Sequence, residues 1–278
     1  MGKLKEIIKA YYDLVRLDHA FFIILAILVG QILTTRSISL LALIAPFFVS
    51  IGAFALNDYL DYETDFKNKR YDRPLVSGKI KPKQVKFLIW SSFILAFLTG
   101  YLVNLFCFFI VVFFSLISIL YDFQLKNTIF GNVAIALTMA IPFPYGAMSV
   151  GSPSLDVLII SAIAFFMGYG REIFKSIQDK KGDRLTGRKT LPILIGDEKA
   201  MFFAKVSLTI SVFLGLFVWF FLPRYFLNPI YLLFYGLTVY FIFNSLKVVK
   251  KKNWKEIRKN TLYALFSGLL AFILPILF

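Results

Sequence analysis

Two stretches of the chain set carboxylates at helical spacing. The first, NDYLDYETDFKNKRYDRPLVSGKI, runs from Asn57 to Ile80. Asn57, Asp61 and Asp65 stand at i, i+4 and i+8, so a continuing helix puts them on one face with Asp58 at its edge. The second, GREIFKSIQDKKGDRLTGRKTLP, runs from Gly170 to Pro192 and carries Glu172, Asp179 and Asp183 at i, i+7 and i+11, again one stripe. Like charges stacked at i, i+4 repel on a bare helix by about 0.2–0.5 kcal/mol, so each row calls for a cation. The donors are all oxygen, with no Cys or His nearby, which suits a hard metal. Mg²⁺ takes one or two carboxylates and completes its shell with water and substrate phosphate. Lys67, Arg73, Arg171, Lys175 and further bases flank the acids. Carboxylate beside clustered base suits a metal–diphosphate site better than a bare anion site. One such row is ordinarily a solvated helix end. Two rows at equivalent places argue for a pair of Mg²⁺ ions bridged by a diphosphate.

The elements that must position these rows are apolar. The 278 residues are 59% hydrophobic, 18% aromatic and 17% charged, whereas a soluble domain is about half apolar and a quarter charged. A membrane-spanning helix needs about 20 apolar residues. Blocks of that kind lie at 19–35, 38–57, 130–150, 154–176, 200–222, 226–246 and 261–278. The run 84–121 is too long for one crossing and divides near Gly100, Tyr101 and Asn104. The expected fold is therefore all-α: a polytopic membrane protein with nine transmembrane helices around a central apolar cavity, forming a single domain over residues 1–278. This excludes a soluble enzyme, a disordered chain and a disulfide-stapled domain. The single Cys, Cys107, sits in an apolar run and cannot form an internal bridge. A net charge of +15 suggests nucleic acid at first. With these apolar blocks, anionic lipid heads or a phosphorylated substrate explain it better, and no nucleic-acid partner is expected.

Charge placement sets the orientation. With nine spans and the amino terminus inside, all of the 31 Lys and Arg residues except Arg36 and Arg224 fall on the inner side. All of the 16 acidic residues except Asp156 do so too. Acid has little weight in topology, so its clustering there needs a functional reason. The protein is expected in the cell membrane, with its amino terminus and active site on the cytoplasmic side. Residues 1–18 carry Leu4, Ile7, Ile8, Tyr11, Leu14 and Val15 on one face and read as an interfacial amphipathic helix with no cleavable signal peptide. His19, the only His, opens the first span and suits an interfacial hydrogen bond. Pro142 and Pro144 predict a kink in the fifth span, and Lys247 to Lys259 a basic, lipid-contacting loop.

The two acidic stretches resemble those of the UbiA superfamily of intramembrane prenyltransferases. The Asn-Asp-x-x-Asp-x-x-x-Asp motif of that superfamily matches Asn57, Asp58, Asp61 and Asp65; its Asp-x-x-x-Asp motif matches Asp179 and Asp183. Within the superfamily, DRPLVSGKI and the second stretch are most similar to the archaeal digeranylgeranylglyceryl phosphate synthases. The resemblance implies transfer of a geranylgeranyl group from its diphosphate to the hydroxyl of geranylgeranylglyceryl phosphate, an archaeal lipid step. It implies that Asn57, Asp61 and Asp65 hold one Mg²⁺ and Asp179 and Asp183 the other, with Asp61, Asp65, Asp179 and Asp183 catalytic. Arg73 and Lys175 are then expected near the phosphates, along with Lys67 and Arg171. The superfamily often has a Tyr-x-x-x-Lys element after the fourth span; here Lys126 stands five residues after Tyr121, not four, so Lys126 alone is carried over.

An allylic diphosphate ionises when the leaving charge is neutralised, and the cation survives where water is excluded. A prenyltransferase with an aromatic acceptor of the 4-hydroxybenzoate or quinone-precursor type would use the same diphosphate site. A transporter of a phosphorylated solute would place its charges at the bilayer midplane; here they sit at the inner boundary. Nothing in the sequence sets an oligomeric state.

Overall fold

The computed structural model describes residues 2–249 and 252–277, with side chains from Leu4 onward. Its helices are α1 (Gly2–Val15), α2 (Leu17–Thr35), α3 (Leu41–Leu60), α4 (Tyr62–Lys67), α5 (Pro82–Val103), α6 (Leu105–Phe123), α7 (Phe130–Ala140), α8 (Pro142–Val150), α9 (Leu155–Leu185), α10 (Leu191–Ile195), α11 (Asp197–Phe221), α12 (Pro229–Val249) and α13 (Trp254–Leu277). A 3-10 turn, Leu125–Asn127, joins α6 to α7. Among the described residues nine segments are long and apolar enough to cross a membrane, α7 and α8 counting together as one.

Local chemistry explains the breaks. The long apolar run divides at Asn104, whose backbone is extended and whose Oδ1 accepts from the Cys107 amide at 2.8 Å, capping α6. The fifth span is broken rather than bent: α7 ends at Ala140 and α8 starts with Pro142 at its first position, where the missing N–H costs nothing. Two expected boundaries move. The sixth span, read as 154–176, continues without interruption to Leu185, because charge ends the apolar stretch but no breaker ends the helix. The expected basic loop 247–259 is largely helical, since α12 runs to Val249 and Lys255, Arg258 and Lys259 lie in the first turns of α13. Lys250 and Lys251 lie outside the described residues.

The chain forms two compact units, Met1–Leu25 with Ser39–Phe123 and Ala26–Ile38 with Gln124–Phe278. In the first, α3 packs along α5 and both meet α6. Gly52 lets the Phe93 ring lie close; a Cβ there would stand 3.2 Å from it. The expected apolar face of α1 is divided. Leu14 and Val15 join the buried cluster with Ile51, Val85 and Ile89, whereas Leu4, Ile7 and Ile8 stay exposed. Leu75 and Ile80 of the loop after α4 are buried in the same cluster, which ties that loop down.

In the second unit α9 is flanked by α7, α11 and α13, and α12 pairs with α13. Small residues and hydroxyls make the helix contacts, as is usual where lipid removes the hydrophobic drive between helices. Ser207 Oγ donates to the Phe166 carbonyl at 2.7 Å and Ser161 Oγ to that of Ala140 at 2.9 Å. Tyr231 and Tyr235 donate to the carbonyls of Gly215 and Val212 at 2.7 and 2.8 Å. The glycine faces of α2 and α8 interlock: a Cβ on Gly30 would lie 2.0 Å from the Phe143 carbonyl oxygen, and one on Gly146 2.1 Å from that of Ile27.

Candidate active site

The first acidic row lies at the end of α3. Asp61 separates α3 from α4, yet the helical hydrogen bonds pass through it: Asp61 N to Asn57 O at 3.0 Å and Asp65 N to Asp61 O at 2.8 Å. Asn57, Asp61 and Asp65 therefore keep i, i+4, i+8 register. Asn57 Nδ2 donates to Asp61 Oδ2 at 3.3 Å and to Asp122 Oδ1, at the C-terminal end of α6, at 2.6 Å. Asp58 is buried and accepts on one oxygen from both Arg16, at 3.1 Å, and Arg73. Arg73 Nε stands 3.7 Å from Asp65 Oδ2. Burial pushes the Asp65 carboxyl up, against the pull of Arg73 and Arg70, and lowers the Arg16 guanidinium against the opposing effect of Asp58. Lys67 closes α4 with its side chain exposed.

The second row lies on the C-terminal end of α9. Asp179 and Asp183 are one turn apart on the same unbroken helix. Asp179 is exposed; Asp183 is buried and accepts from Arg188 Nη1 at 3.0 Å. Two turns earlier on α9, buried Glu172 accepts from Arg171 Nη1 at 2.8 Å and Lys175 Nζ at 3.4 Å. The Arg171 Nε has no hydrogen-bond partner. Ser176 Oγ donates to Asn132 Oδ1 at 2.8 Å, fixing α9 against α7. Lys126 is half-buried in the 3-10 turn that precedes α7, and the Lys189 amide donates to the Asn127 carbonyl at 2.8 Å, so the segment after α9 is held to that turn.

Each row keeps its helical register within its own unit, and three of the five named bases sit beside acids: Arg73 with Asp58 and Asp65, Arg171 and Lys175 with Glu172. Two participants were not predicted from the sequence. Asp122 and Arg16 reach the first row from 65 and 42 residues away, distances over which spacing carries no signal. Glu172, part of the stripe, proves to be the partner of two cations. His19 lies beside Asp18 at 3.1 Å with its ring edge-on to Phe54.

The donors suit a hard cation. Asn57 gives its nitrogen to two carboxylates, which leaves Oδ1 at the other edge of the amide as an oxygen donor. Among the described residues no three His, Cys, Asp or Glu side chains cluster tightly enough to hold a metal by themselves. Each row supplies the one or two carboxylates that Mg²⁺ takes when substrate phosphates complete its shell.

An all-α, multi-pass chain with such rows at span ends is an intramembrane enzyme of the prenyl-transferring class. Residues 20–273 match the UbiA prenyltransferase family, and the chain belongs to it. The digeranylgeranylglyceryl phosphate synthase of Archaeoglobus fulgidus is 33% identical over 98% of this chain and 97% of that protein. A solved digeranylgeranylglyceryl phosphate synthase is similar with a TM-score of 0.79 and 26% identity, covering 99% of each chain. A UbiA homologue from Archaeoglobus fulgidus, solved with GPP and Mg²⁺, shares the fold at a TM-score of 0.72 and 18% identity, over 97% of this chain and 100% of that one.

Proposed function

We propose that this prenyltransferase moves a geranylgeranyl group from geranylgeranyl diphosphate to the free hydroxyl of geranylgeranylglyceryl phosphate, in the synthesis of archaeal membrane lipids. The observation that carries the proposal is the oxygen row Asn57, Asp61, Asp65 held in helical register beside Arg73. The likeness to digeranylgeranylglyceryl phosphate synthases over nearly the whole chain supports the choice of acceptor. The chain would then work as a single prenyltransferase domain. The amino terminus and the site would face the cytoplasm, where the charge asymmetry puts the bases.

In this reading Asn57, Asp61 and Asp65 hold one Mg²⁺, and Asp179 and Asp183 a second, as the bound GPP and Mg²⁺ of the Archaeoglobus fulgidus homologue encourage. Bound there, Mg²⁺ neutralises negative charge on the diphosphate as it leaves. Lys67, Arg73, Lys126, Arg171 and Lys175 bind phosphate oxygens, and their attraction grows as the carbon–oxygen bond breaks and charge moves onto the leaving group. The apolar spans house the prenyl tail and exclude water from the allylic cation. Aromatic rings there stabilise it by their negative faces. The acceptor oxygen then bonds to the allylic carbon as its proton passes to the released diphosphate or to a carboxylate of the rows.

The test offers the purified chain labelled geranylgeranyl diphosphate with either geranylgeranylglyceryl phosphate or 4-hydroxybenzoate. Digeranylgeranylglyceryl phosphate as the product supports the proposal. Prenylation of 4-hydroxybenzoate alone would replace the acceptor, and solute uptake into liposomes without covalent product would replace the reaction. Asp61→Ala and Asp183→Ala should each abolish Mg²⁺-dependent diphosphate release; near-normal turnover in both overturns the two-metal site.

A further inference from the structure

Asp122 is a buried carboxylate at the C-terminal end of α6, and neither acidic motif contains it. Its Oδ1 accepts from Asn57 Nδ2 at 2.6 Å, the shorter of the two hydrogen bonds that this nitrogen donates. A carboxylate is acceptor-only when ionised, whereas an amide offers a donor edge and an acceptor edge. Turning the Asn57 amide over would set its oxygen against Asp122 and Asp61 together. The two acids thus decide which edge of Asn57 is nitrogen and which is oxygen. Asp61 comes from the same helix and moves with Asn57; Asp122 comes from another helix and supplies the fixed reference.

We propose that Asp122 is a positioning residue, which orients Asn57 so that its Oδ1 serves a divalent cation in the first row. This rests on the reading that the row binds such a cation, and goes beyond it by assigning a residue outside the ligand set. A pair that merely satisfied a buried acid could draw on any donor. Here the donor is the one side chain of the row whose usefulness depends on which way it is turned. Asp122 also acts electrostatically on Arg16. Partners that orient metal ligands are worth about 10–100-fold in metal affinity.

The test titrates Mn²⁺ by electron paramagnetic resonance into the detergent-purified full chain with inorganic diphosphate, and follows thermal unfolding in parallel. Asp122→Ala should weaken at least one bound ion about tenfold, while Asp122→Asn, whose carbonyl accepts the same hydrogen bond, should recover most of that affinity. Asn57→Asp should weaken binding by facing Asp122 with a like charge, and the exchange Asn57→Asp with Asp122→Asn should restore it, because one amide again meets one carboxylate. Wild-type Mn²⁺ affinity in Asp122→Ala overturns the proposal. Should Asp122→Ala not fold, equal weakness of Asn57→Asp and the exchanged pair overturns it instead. A wild-type chain that binds no Mn²⁺ defeats the metal reading itself, whereas wild-type binding with indifferent variants defeats this inference alone.

Discussion

Arg73 reaches back 15 residues to Asp58, which it shares with Arg16. The contact fastens the loop after α4 and the α1–α2 junction to the end of α3. One buried acid thereby holds two separate pieces of chain beside the first acidic row. The second oxygen of Asp58 has no hydrogen-bond partner, so the attachment runs through a single atom.

Replacing Asp58 with Ala leaves two guanidinium groups without their shared acceptor. A broken buried pair costs about 3–5 kcal/mol, and the low end applies because both arginines keep some contact with water. The melting temperature of Asp58→Ala in detergent should fall, and limited proteolysis should open the loop near Arg70 first. A variant as stable and as resistant as the wild type would remove the fastening role.

Gly30 and Gly146 have no room for a methyl group. Gly30→Ala and Gly146→Ala should each destabilise the packing of α2 on α8 by about 1–3 kcal/mol or more, since backbone and not a flexible side chain is in the way. Unfolding in graded SDS–detergent mixtures reads this directly. Gly182→Ala, which meets open space, is the control and should be neutral or slightly stabilising.

Lys175 is half-exposed and loosely tied to Glu172, which leaves its ammonium available to an anion. Lys175→Met should raise the KM for geranylgeranyl diphosphate about tenfold, equivalent to about 1.4 kcal/mol, with little change in melting temperature. A change confined to stability would argue against a phosphate contact.

Chelation offers a fourth check. EDTA should stop turnover, and excess Mg²⁺ should restore it without refolding, because oxygen ligands bind and release a hard cation reversibly. Full activity after exhaustive chelation would mean that the lysines and arginines alone neutralise the diphosphate.

Much of the architecture was legible because hydropathy measures where a chain meets lipid. That signal located the nine spans and the division of the run 84–121, where Asn104 was one of three interrupting residues. It failed where lipid exposure and helix length part company. α9 continues past its last apolar residues because no terminator appears before Gly187, which adopts a φ of +71°. Local spacing likewise revealed each acidic row, since i and i+4 are neighbours on any helix. It was silent on Asp122 and Arg16, whose contacts depend on how distant helices pack. It also suggested a single apolar face on α1, whereas burial there depends on which part of the helix meets α3.

At 31 residues, α9 is about 46 Å long, well beyond the roughly 30 Å of a hydrocarbon core. No joint separates its greasy portion from the turn bearing Asp179 and Asp183. The rod therefore fixes the distance between its apolar portion and those two acids, so that any shift of one along the helix axis is a shift of the other.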